Sequence, residues 1–557
     1  MFNLSSISSP QDLKGLEIAD LSSLSGQIRE LIIDCCECNG GHLGSNLGCV
    51  ELTVALHHVF DSPNDKLIFD VGHQAYTHKI LTGRQSQMRT LRQKNGLSGF
   101  PRPTESEHDP AVAGHAGNSI SMALGLSYGL PKNNWSIAII GDGSIANGMA
   151  VEALNHLGTT KQNVLIVLND NGLAIDPTQG ALAQGQDYEK FFQALGINYQ
   201  GVIDGHDLKS LLEVFTAAKN KNVPQVVHVK TIKGQGYIKA LDNKLKCHGI
   251  SPCRNGEIKA EKTNQNIVAE TLVDLAAEHK NINLVVAAMG SSVGLGKFQD
   301  LYPDRYFDVG IAESHGVAFS AGLATTGDKK VFCHLYSTFM QRSFDQLIHD
   351  VAIAETPVVF LVDRAGLAGE DGCTHQGQFD LAYLNLIPNI HILAPRGAEE
   401  LELALRSAVN YKHPLVIRYT KDMAVKNGDS KIKNLKLGSR AMQIGEGKVA
   451  ILSTGQINIP IKQLKAVSHY HFPFLKPFDE KFLKKIAEKY GKIIVIEEGT
   501  VKGGFAATVS SYLNKLNYQG KVRHLALPDK FIDHGGREQL LRENGFSLEN
   551  LSSIIKK

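Results

Sequence analysis

Between Ser136 and Leu173 the sequence runs SIAIIGDGSIANGMAVEALNHLGTTKQNVLIVLNDNGL. An apolar strand ends in Gly141-Asp142-Gly143, a helix-length segment follows, and a second apolar strand ends in Asn169-Asp170-Asn171. Consecutive strands joined by a crossover helix lie parallel, so both polar turns fall at the same edge of one sheet. That edge, at the carboxyl ends of parallel strands, is where open α/β sheets hold ligands. The stretch therefore commits the chain to an α/β architecture and brings oxygen ligands from two strands to one ion. Mg²⁺ takes near-octahedral oxygen coordination and commonly bridges a carboxylate to phosphate oxygens. Asp142, the Asn171 amide oxygen and the Leu173 carbonyl make such a set, and the glycines flanking Asp142, Gly143 among them, let the backbone approach a diphosphate closely. Each tripeptide alone is a common strand-end turn, but the pair at this spacing points to a Mg²⁺–diphosphate site.

At 557 residues the chain holds about three domains of ordinary size. A net charge of +2 favours neither nucleic acid nor an anionic membrane as partner. No run approaches the ~20 apolar residues of a membrane span. The start, MFNLSSISSPQDLKGL, lacks the cationic head and apolar core of a signal peptide, so a cytoplasmic location is expected. The eight cysteines form no regular framework, which fits a reducing compartment. The cluster CCEC at 35–38 invites a zinc reading, but neighbouring helical positions face different ways and no second pair matches it, so plain thiols are expected.

In chain order, a first domain is expected over 1–245, a polar linker over 246–264, a second domain over 265–425 and a third over 440–557. In the first, Gly40-Gly41-His42-Leu43-Gly44-Ser45, Gly72-His73-Gln74 and Gly114-His115-Ala116-Gly117 each set a histidine beside glycine at a strand mouth or helix start. Together they suggest a pocket lined by imidazoles, able to move protons near neutral pH. His57, His58 and His78 read as packing or surface groups. Lys233-Gly234-Gln235-Gly236 is a phosphate-friendly loop, and His248 in the linker stands where a loop bordering a cleft reaches a site. The second domain alternates strands such as TPVVFLVDRAG with helices such as SFDQLIHDVAIAE, the pattern of a parallel sheet covered on both faces. It places Glu313 at a helix start, where the helix dipole favours a carboxylate. Tyr336, Phe339 and Arg342 surround another strand end, and Arg364, Asp371 and His375 share a long glycine-rich loop, DRAGLAGEDGCTHQG. The third domain repeats the alternation without such a cluster and reads as architectural.

These stretches together resemble the 1-deoxy-D-xylulose-5-phosphate synthases, thiamine diphosphate enzymes of the transketolase superfamily. The likeness is carried by GHLGSNLGCVELTVALHHVF, DVGHQAYTHKILTG, GDGSIANGMAVEALNH, LNDN, PDRYFDVGIAESH, YSTFMQRSFDQLIHDVAI, DRAGLAGEDGCTHQGQFDLAYL and KPFDE. It implies three α/β domains with mainly parallel sheets: one for diphosphate and Mg²⁺, one for the pyrimidine, and a transketolase-like C-terminal domain. Asp142, Asn171 and Leu173 would hold Mg²⁺, with Gly143, His115, Ser45 and Lys233 along the cofactor. Glu313 would hydrogen-bond the pyrimidine N1′ and Phe339 would stack on its ring. His42, His73 and His375 would act on substrate oxygens, and Tyr336, Arg364, Asp371, Lys421 and Arg418 would line the acceptor. The implied reaction is decarboxylation of pyruvate and transfer of the two-carbon unit to glyceraldehyde 3-phosphate by a homodimer, in the service of isoprenoid and thiamine biosynthesis.

The chain also departs from the family pattern. Lys421 stands where the family has an arginine, keeping the charge but losing the planar fork that grips phosphate. Ala116 and Gly117 replace two serines, Gly172-Leu173 replaces Glu-Met, Gln235 replaces a basic residue, and the segment after Leu182 is shortened. A paralogue acting on another aldehyde or donor is the nearest alternative. A silent cofactor-binding protein is the third, and the presence of Glu313 beside both Mg²⁺ ligands speaks against it.

Overall fold

The computed structural model describes residues 3–182, 187–243, 245–252, 262–425, 442–465 and 467–557. Cys253 and much of the expected linker lie outside them. The chain divides into two compact units: 1–256 with 310–312 and 370–374, and 257–309 with 313–369 and 375–557.

The first unit is built on five parallel strands: β1 (Lys66–Phe69), β2 (Ser136–Gly141), β3 (Val164–Asp170), β4 (Asn198–Asp204) and β5 (Gln225–Lys230), in the order β1-β2-β3-β5-β4. The near-continuous apolar runs of β1, β2, β3 and β5 are what strands buried on both faces require. Alternate residues feed two cores: Ile137, Ile139, Leu165 and Val167 pack on one face, Ala138, Ile140, Ile166 and Leu168 on the other. Each Ile, Leu or Val side chain among them contributes about 1.5–3 kcal/mol on burial. β4, NYQGVID, has no apolar run to announce it; it is an exposed edge strand that forms by pairing with β5.

Beneath this sheet lies a buried polar network. His57 Nε2 meets His78 Nδ1 at 2.9 Å, His78 Nε2 meets Asp109 at 2.9 Å, and Arg84 grips both Asp109 oxygens at 2.7 and 2.9 Å. His57 and His78 are thus fully enclosed packing groups, while His58 stays half-buried against the Leu13 carbonyl. The imidazole and guanidinium around Asp109 hold its carboxyl well below the usual range despite burial.

The second unit carries two sheets. One has seven strands: β6 (Ile282–Val286), β7 (Tyr306–Asp308), β8 (Lys330–Tyr336), β9 (Val359–Asp363), β10 (His391–Leu393), β11 (Leu415–Arg418) and, from far along the chain, β15 (Phe474–Lys476). The other has β12 (Met442–Ile444), β13 (Val449–Ser453), β14 (Val467–His471), β16 (Lys492–Thr500) and β17 (Lys521–Leu527), ordered β12-β14-β13-β16-β17. Both are parallel except for an antiparallel edge strand, β15 and β12. A shared core runs from Val285, Phe360 and Val416 to Leu452, Val495 and Phe505.

A polar knot ties the two sheets of this unit together. Arg537 Nε and Nη2 donate to Asp422 at 2.6 and 2.5 Å, and Nη1 and Nη2 donate to Glu498 at 2.5 and 2.9 Å. Glu498 Oε1 also accepts the Leu367 N–H at 2.6 Å, so the same knot pins the glycine-rich loop. Removing one partner of a buried ion pair leaves the rest uncompensated. Arg537→Ala is therefore expected to cost about 3–5 kcal/mol in chemical denaturation, against near zero for an exposed cation such as Lys484→Ala.

Candidate active site

The β2–β3 register pairs Gly141 with Asn169, so Asp142 and Asp170–Asn171 leave the sheet side by side. Asp142 is 3% exposed and accepts the Thr178 hydroxyl at 2.7 Å. Burial raises its pKa, and neighbouring Asp170 adds to the effect. Asp170 is differently placed: His228 at 3.1 Å and Lys230 at 2.9 Å bring its carboxyl down to about 2 against the cost of its own burial. Asn171 Oδ1 accepts the Leu173 N–H at 3.1 Å, folding this turn back on itself. Lys233 is buried, donates to the Ala174 carbonyl, and is pushed down to about 8 by desolvation, partly offset by Asp142 and Asp176. Among the described residues no three His, Cys, Asp or Glu side chains gather as a metal group, so a cation here would rely on one carboxylate with amide and carbonyl oxygens. A buried carboxylate short of positive charge, beside glycine and amide oxygens, fits Mg²⁺ carrying phosphate.

Three imidazoles stand together in the same unit. His42 lies 5.7 Å from both His73 and His248, and His73 lies 5.3 Å from His248 between ring centres. His248 arrives on a strap: Gly41 and Ile250 exchange backbone hydrogen bonds, and Gly44 N–H donates to the Cys247 carbonyl at 2.9 Å. The strap needs glycine, since a Cβ on Gly44 would sit 1.9 Å from the Lys246 carbonyl oxygen. Ser45 Oγ approaches His248 Nδ1 at 3.5 Å. Burial depresses the pKa of both rings, with His42 and then Lys233 adding to it at His73, and Lys233, His73 and His42 adding to it at His248, which favours the neutral imidazoles. His73 Nδ1 is enclosed with no hydrogen-bond partner among the described residues. His115 Nε2 lies 2.8 Å from the Thr374 carbonyl, and Asp371 pairs with half-buried Arg92; both partners belong to the first unit.

In the second unit Glu313 opens the helix Glu313–Thr325 and is 4% exposed. Its pKa is raised by burial; Arg342, 3.5 Å from Oε2, opposes this without making a hydrogen bond to it. Tyr336 and Phe339 stack with ring centres 5.3 Å apart, Arg364 lies 4.2 Å over the Tyr336 ring, and His375 meets Phe339 edge-on at 5.5 Å. Gln376 holds the loop in shape by accepting the Ala368 and Gly369 N–H groups at 2.6 and 3.1 Å. Lys421 is half-buried beside this loop's anchor, Asp422. Arg418 does not join the group at its surface: it is 2% exposed, clamped by Asp380 at 2.9 and 3.0 Å and by the Glu498 carbonyl at 2.6 Å.

Comparison with known proteins decides the family. A profile for 1-deoxy-D-xylulose-5-phosphate synthase matches residues 4–188 and 183–231, one for the transketolase pyrimidine binding domain matches 260–425, and one for the transketolase C-terminal domain matches 467–551. The 1-deoxy-D-xylulose-5-phosphate synthase of Brevibacillus brevis is 40% identical over 99% of this chain and 98% of its own length. That of Chlorobaculum tepidum is also 40% identical over the same shares. The chain belongs to the 1-deoxy-D-xylulose-5-phosphate synthase family. Among solved structures, a transketolase from Campylobacter jejuni is 19% identical, covering 97% of this chain and 100% of its own, at a TM-score of 0.45.

Several residues that support this synthase-family site escape a sequence reading. Asn46, fully buried, donates to the carbonyls of both His42 and His73 at 2.6 Å and accepts the Tyr76 N–H at 2.8 Å, so one amide sets two imidazole turns. Its only signal is a polar residue inside a glycine-rich turn. Arg92 sits in an unremarkable basic stretch and acquires meaning only by facing Asp371. The thiols Cys35 and Cys36 are buried in the helix Ile18–Asn39, which pushes them up to about 11 and 12, while Cys38 is exposed.

Asp142 and Glu313 hold their protons more tightly folded than unfolded, so each subtracts stability as pH rises through the ordinary carboxylate range. Asp142→Asn removes one such penalty. The metal-free variant is expected to melt above wild type at pH 7, with the gap narrowing as pH falls toward the ordinary carboxylate range. It is also expected to lose the stabilisation by Mg²⁺ with thiamine diphosphate, which for wild type at a hundredfold excess over Kd amounts to about 2.7 kcal/mol. Scanning fluorimetry across pH measures both.

Proposed function

We propose that this chain decarboxylates pyruvate and joins the two-carbon unit to glyceraldehyde 3-phosphate, with thiamine diphosphate and Mg²⁺ as cofactors. Family membership supports the reaction. The observation that carries the site is Glu313: a carboxyl buried at a helix start, its pKa raised by desolvation, with one oxygen lacking a hydrogen-bond partner among the described residues. A group of that kind suits the polar edge of a pyrimidine, with which its open oxygen can share a hydrogen bond.

Thiamine diphosphate, when bound, supplies the electron sink for breaking and making the carbon–carbon bonds. The protein's part is orientation and proton handling. Asp142, Asn171 and the Leu173 carbonyl would hold Mg²⁺, with Gly143, Lys233, Ser45 and His115 along the diphosphate and ring. Phe339, backed by Tyr336, presents an aromatic face for the pyrimidine. Neutral His73 and His248, with His42 and His375, can each accept or donate a proton at a substrate carbonyl or hydroxyl. Asp371 faces the acceptor hydroxyls. Arg364 and Lys421 supply positive charge for the acceptor phosphate, and Arg418, held by Asp380, supports them from the core. The 1–245, 265–425 and 440–557 segments would then act as diphosphate, pyrimidine and C-terminal domains.

A second copy of the chain is the proposed partner. Met122, Met149 and Val151, on the helices Ser119–Ser127 and Gly148–Leu157, are 39%, 45% and 38% exposed, apolar side chains of the kind that a homodimer contact would cover. Unpaired thiols at Cys35, Cys36, Cys38 and Cys49 accord with a reducing, cytoplasmic setting. No helix among the described residues is long and apolar enough to cross a membrane.

The test supplies purified protein with thiamine diphosphate, Mg²⁺, pyruvate and a panel of aldehydes, and identifies products by mass. Glyceraldehyde 3-phosphate is expected to give a five-carbon sugar phosphate with loss of CO₂; absence of pyruvate consumption with every aldehyde would overturn the proposal. Glu313→Ala is expected to lose about a hundredfold or more in kcat with the fold retained. Lys421→Arg is expected to lower the KM for the phosphorylated acceptor several-fold, roughly what a planar bidentate grip adds over a point charge. An unchanged KM would remove Lys421 from the phosphate contacts.

A further inference from the structure

Asn147 is 5% exposed and uses both ends of its amide. Oδ1 accepts the Met149 N–H at 3.1 Å and so caps the helix Gly148–Leu157, while Nδ2 donates to the Ile311 carbonyl at 2.7 Å. An N–H on one side and a carbonyl on the other fix which end of the amide is nitrogen. Capping alone would be served as well by Ser or Asp, since it needs only a side-chain oxygen. Asparagine is the residue of that length that also carries a second, oppositely directed donor, and here the donor is spent on a carbonyl 164 positions away.

The surroundings are shaped to keep it there. Gly117, at φ +90°, backs directly onto the amide: a Cβ at that position would lie 2.4 Å from Asn147 Oδ1 and 2.6 Å from Cγ. The Gly117 N–H donates to both oxygens of Asp70 at 3.0 Å, and Asp70, 1% exposed, also accepts the Ser119 N–H at 3.1 Å. The turn after His115 is thereby anchored to the residue that follows β1, with its glycine pressed against Asn147. On the far side, Ile311 belongs to the short segment 310–312 that is counted with the first unit, and its Cδ1 lies 3.5 Å from where a Cβ on Gly143 would be. Four stretches, ending at Asp70, Gly117, Asn147 and Ile311, converge beside the turn that carries Asp142.

Ile311 precedes Glu313 by two residues, and the helix begins at Glu313 itself. We propose that Asn147 is a positioning residue: its Nδ2–H, by holding the Ile311 carbonyl beside the Gly143 turn, sets the backbone entry to that helix and with it the Glu313 carboxyl. The inference rests on the reading of Glu313 as the group that engages the cofactor. Gly117 then takes on a specific sense, because a side chain there and the Asn147 amide exclude one another.

The test uses Asn147→Ser and Asn147→Asp in the full-length protein. Both keep an oxygen for the Met149 N–H, so the helix stays capped, and both lose the donor to Ile311. In the cofactor-free protein, hydrogen exchange at residues 310–314 is expected to quicken about tenfold in both variants, while protection in the helix Gly148–Leu157 is unchanged. With thiamine diphosphate, Mg²⁺ and pyruvate, kcat is expected to fall tenfold or more, with KM for glyceraldehyde 3-phosphate within about twofold of wild type. Exchange unchanged at 310–314 in both variants overturns the tether and leaves Asn147 a helix cap. Faster exchange with kcat unchanged overturns the link to Glu313. A Glu313→Gln variant that retains wild-type kcat marks instead the failure of the Glu313 reading, since the exchange result does not depend on it.

Discussion

Asp142 and Glu313 are each buried with less positive charge around them than an ionised carboxylate requires, and much of the rest of the molecule is arranged to keep them so. Burying a charge without a partner is costly, and proteins ordinarily answer by pairing it. This chain does so elsewhere: Asp109 has Arg84 and His78, Asp380 has Arg418, Glu498 and Asp422 share Arg537. At Asp142 a threonine hydroxyl, backbone N–H groups and the charge of buried Lys233 take the place of a salt bridge, and at Glu313 an arginine stops short of a hydrogen bond. The exceptions coincide with the places where the family expectation puts a cation and a polar heterocycle.

The scaffold makes such exceptions affordable. Parallel strands buried on both faces put Asp142 and Asn171 at one edge with a register that tolerates no slip, because a one-residue shift would turn Ile139 and Val167 into the wrong core. Asparagine side chains do the local positioning: Asn46 joins two histidine turns, and Asn169 donates to Gln74 at 3.1 Å beneath them. Each amide meets a donor and an acceptor at once, which charged residues cannot do without desolvation cost.

The sequence made the strand ends, the glycine-flanked histidines and the helix start at Glu313 legible, because each depends on local rules: apolar runs, positive-φ turns and dipole-compatible carboxylates. What stayed hidden depends on which distant groups meet. Arg418 looked like a phosphate ligand beside Lys421, yet Asp380, distant in sequence, draws it into the core. His248 was visible as a loop histidine, but its place among the imidazoles is decided by the backbone strap from Gly41 to Ile250. Strand β4 lacks any apolar run, and β15 leaves its neighbours in sequence to edge the other sheet, so neither follows from periodicity. Asn147 carries no local sign of its second contact, because the Ile311 carbonyl that it meets lies 164 positions away.

The central claim is that Asp142 awaits a cation that carries diphosphate. Calorimetric titration of thiamine diphosphate into the metal-free protein, with Mg²⁺ and then with a chelator, measures it directly. The account predicts binding at least tenfold tighter with Mg²⁺, a coupling of about 1.4 kcal/mol or more. Equal affinity with and without the metal would contradict it.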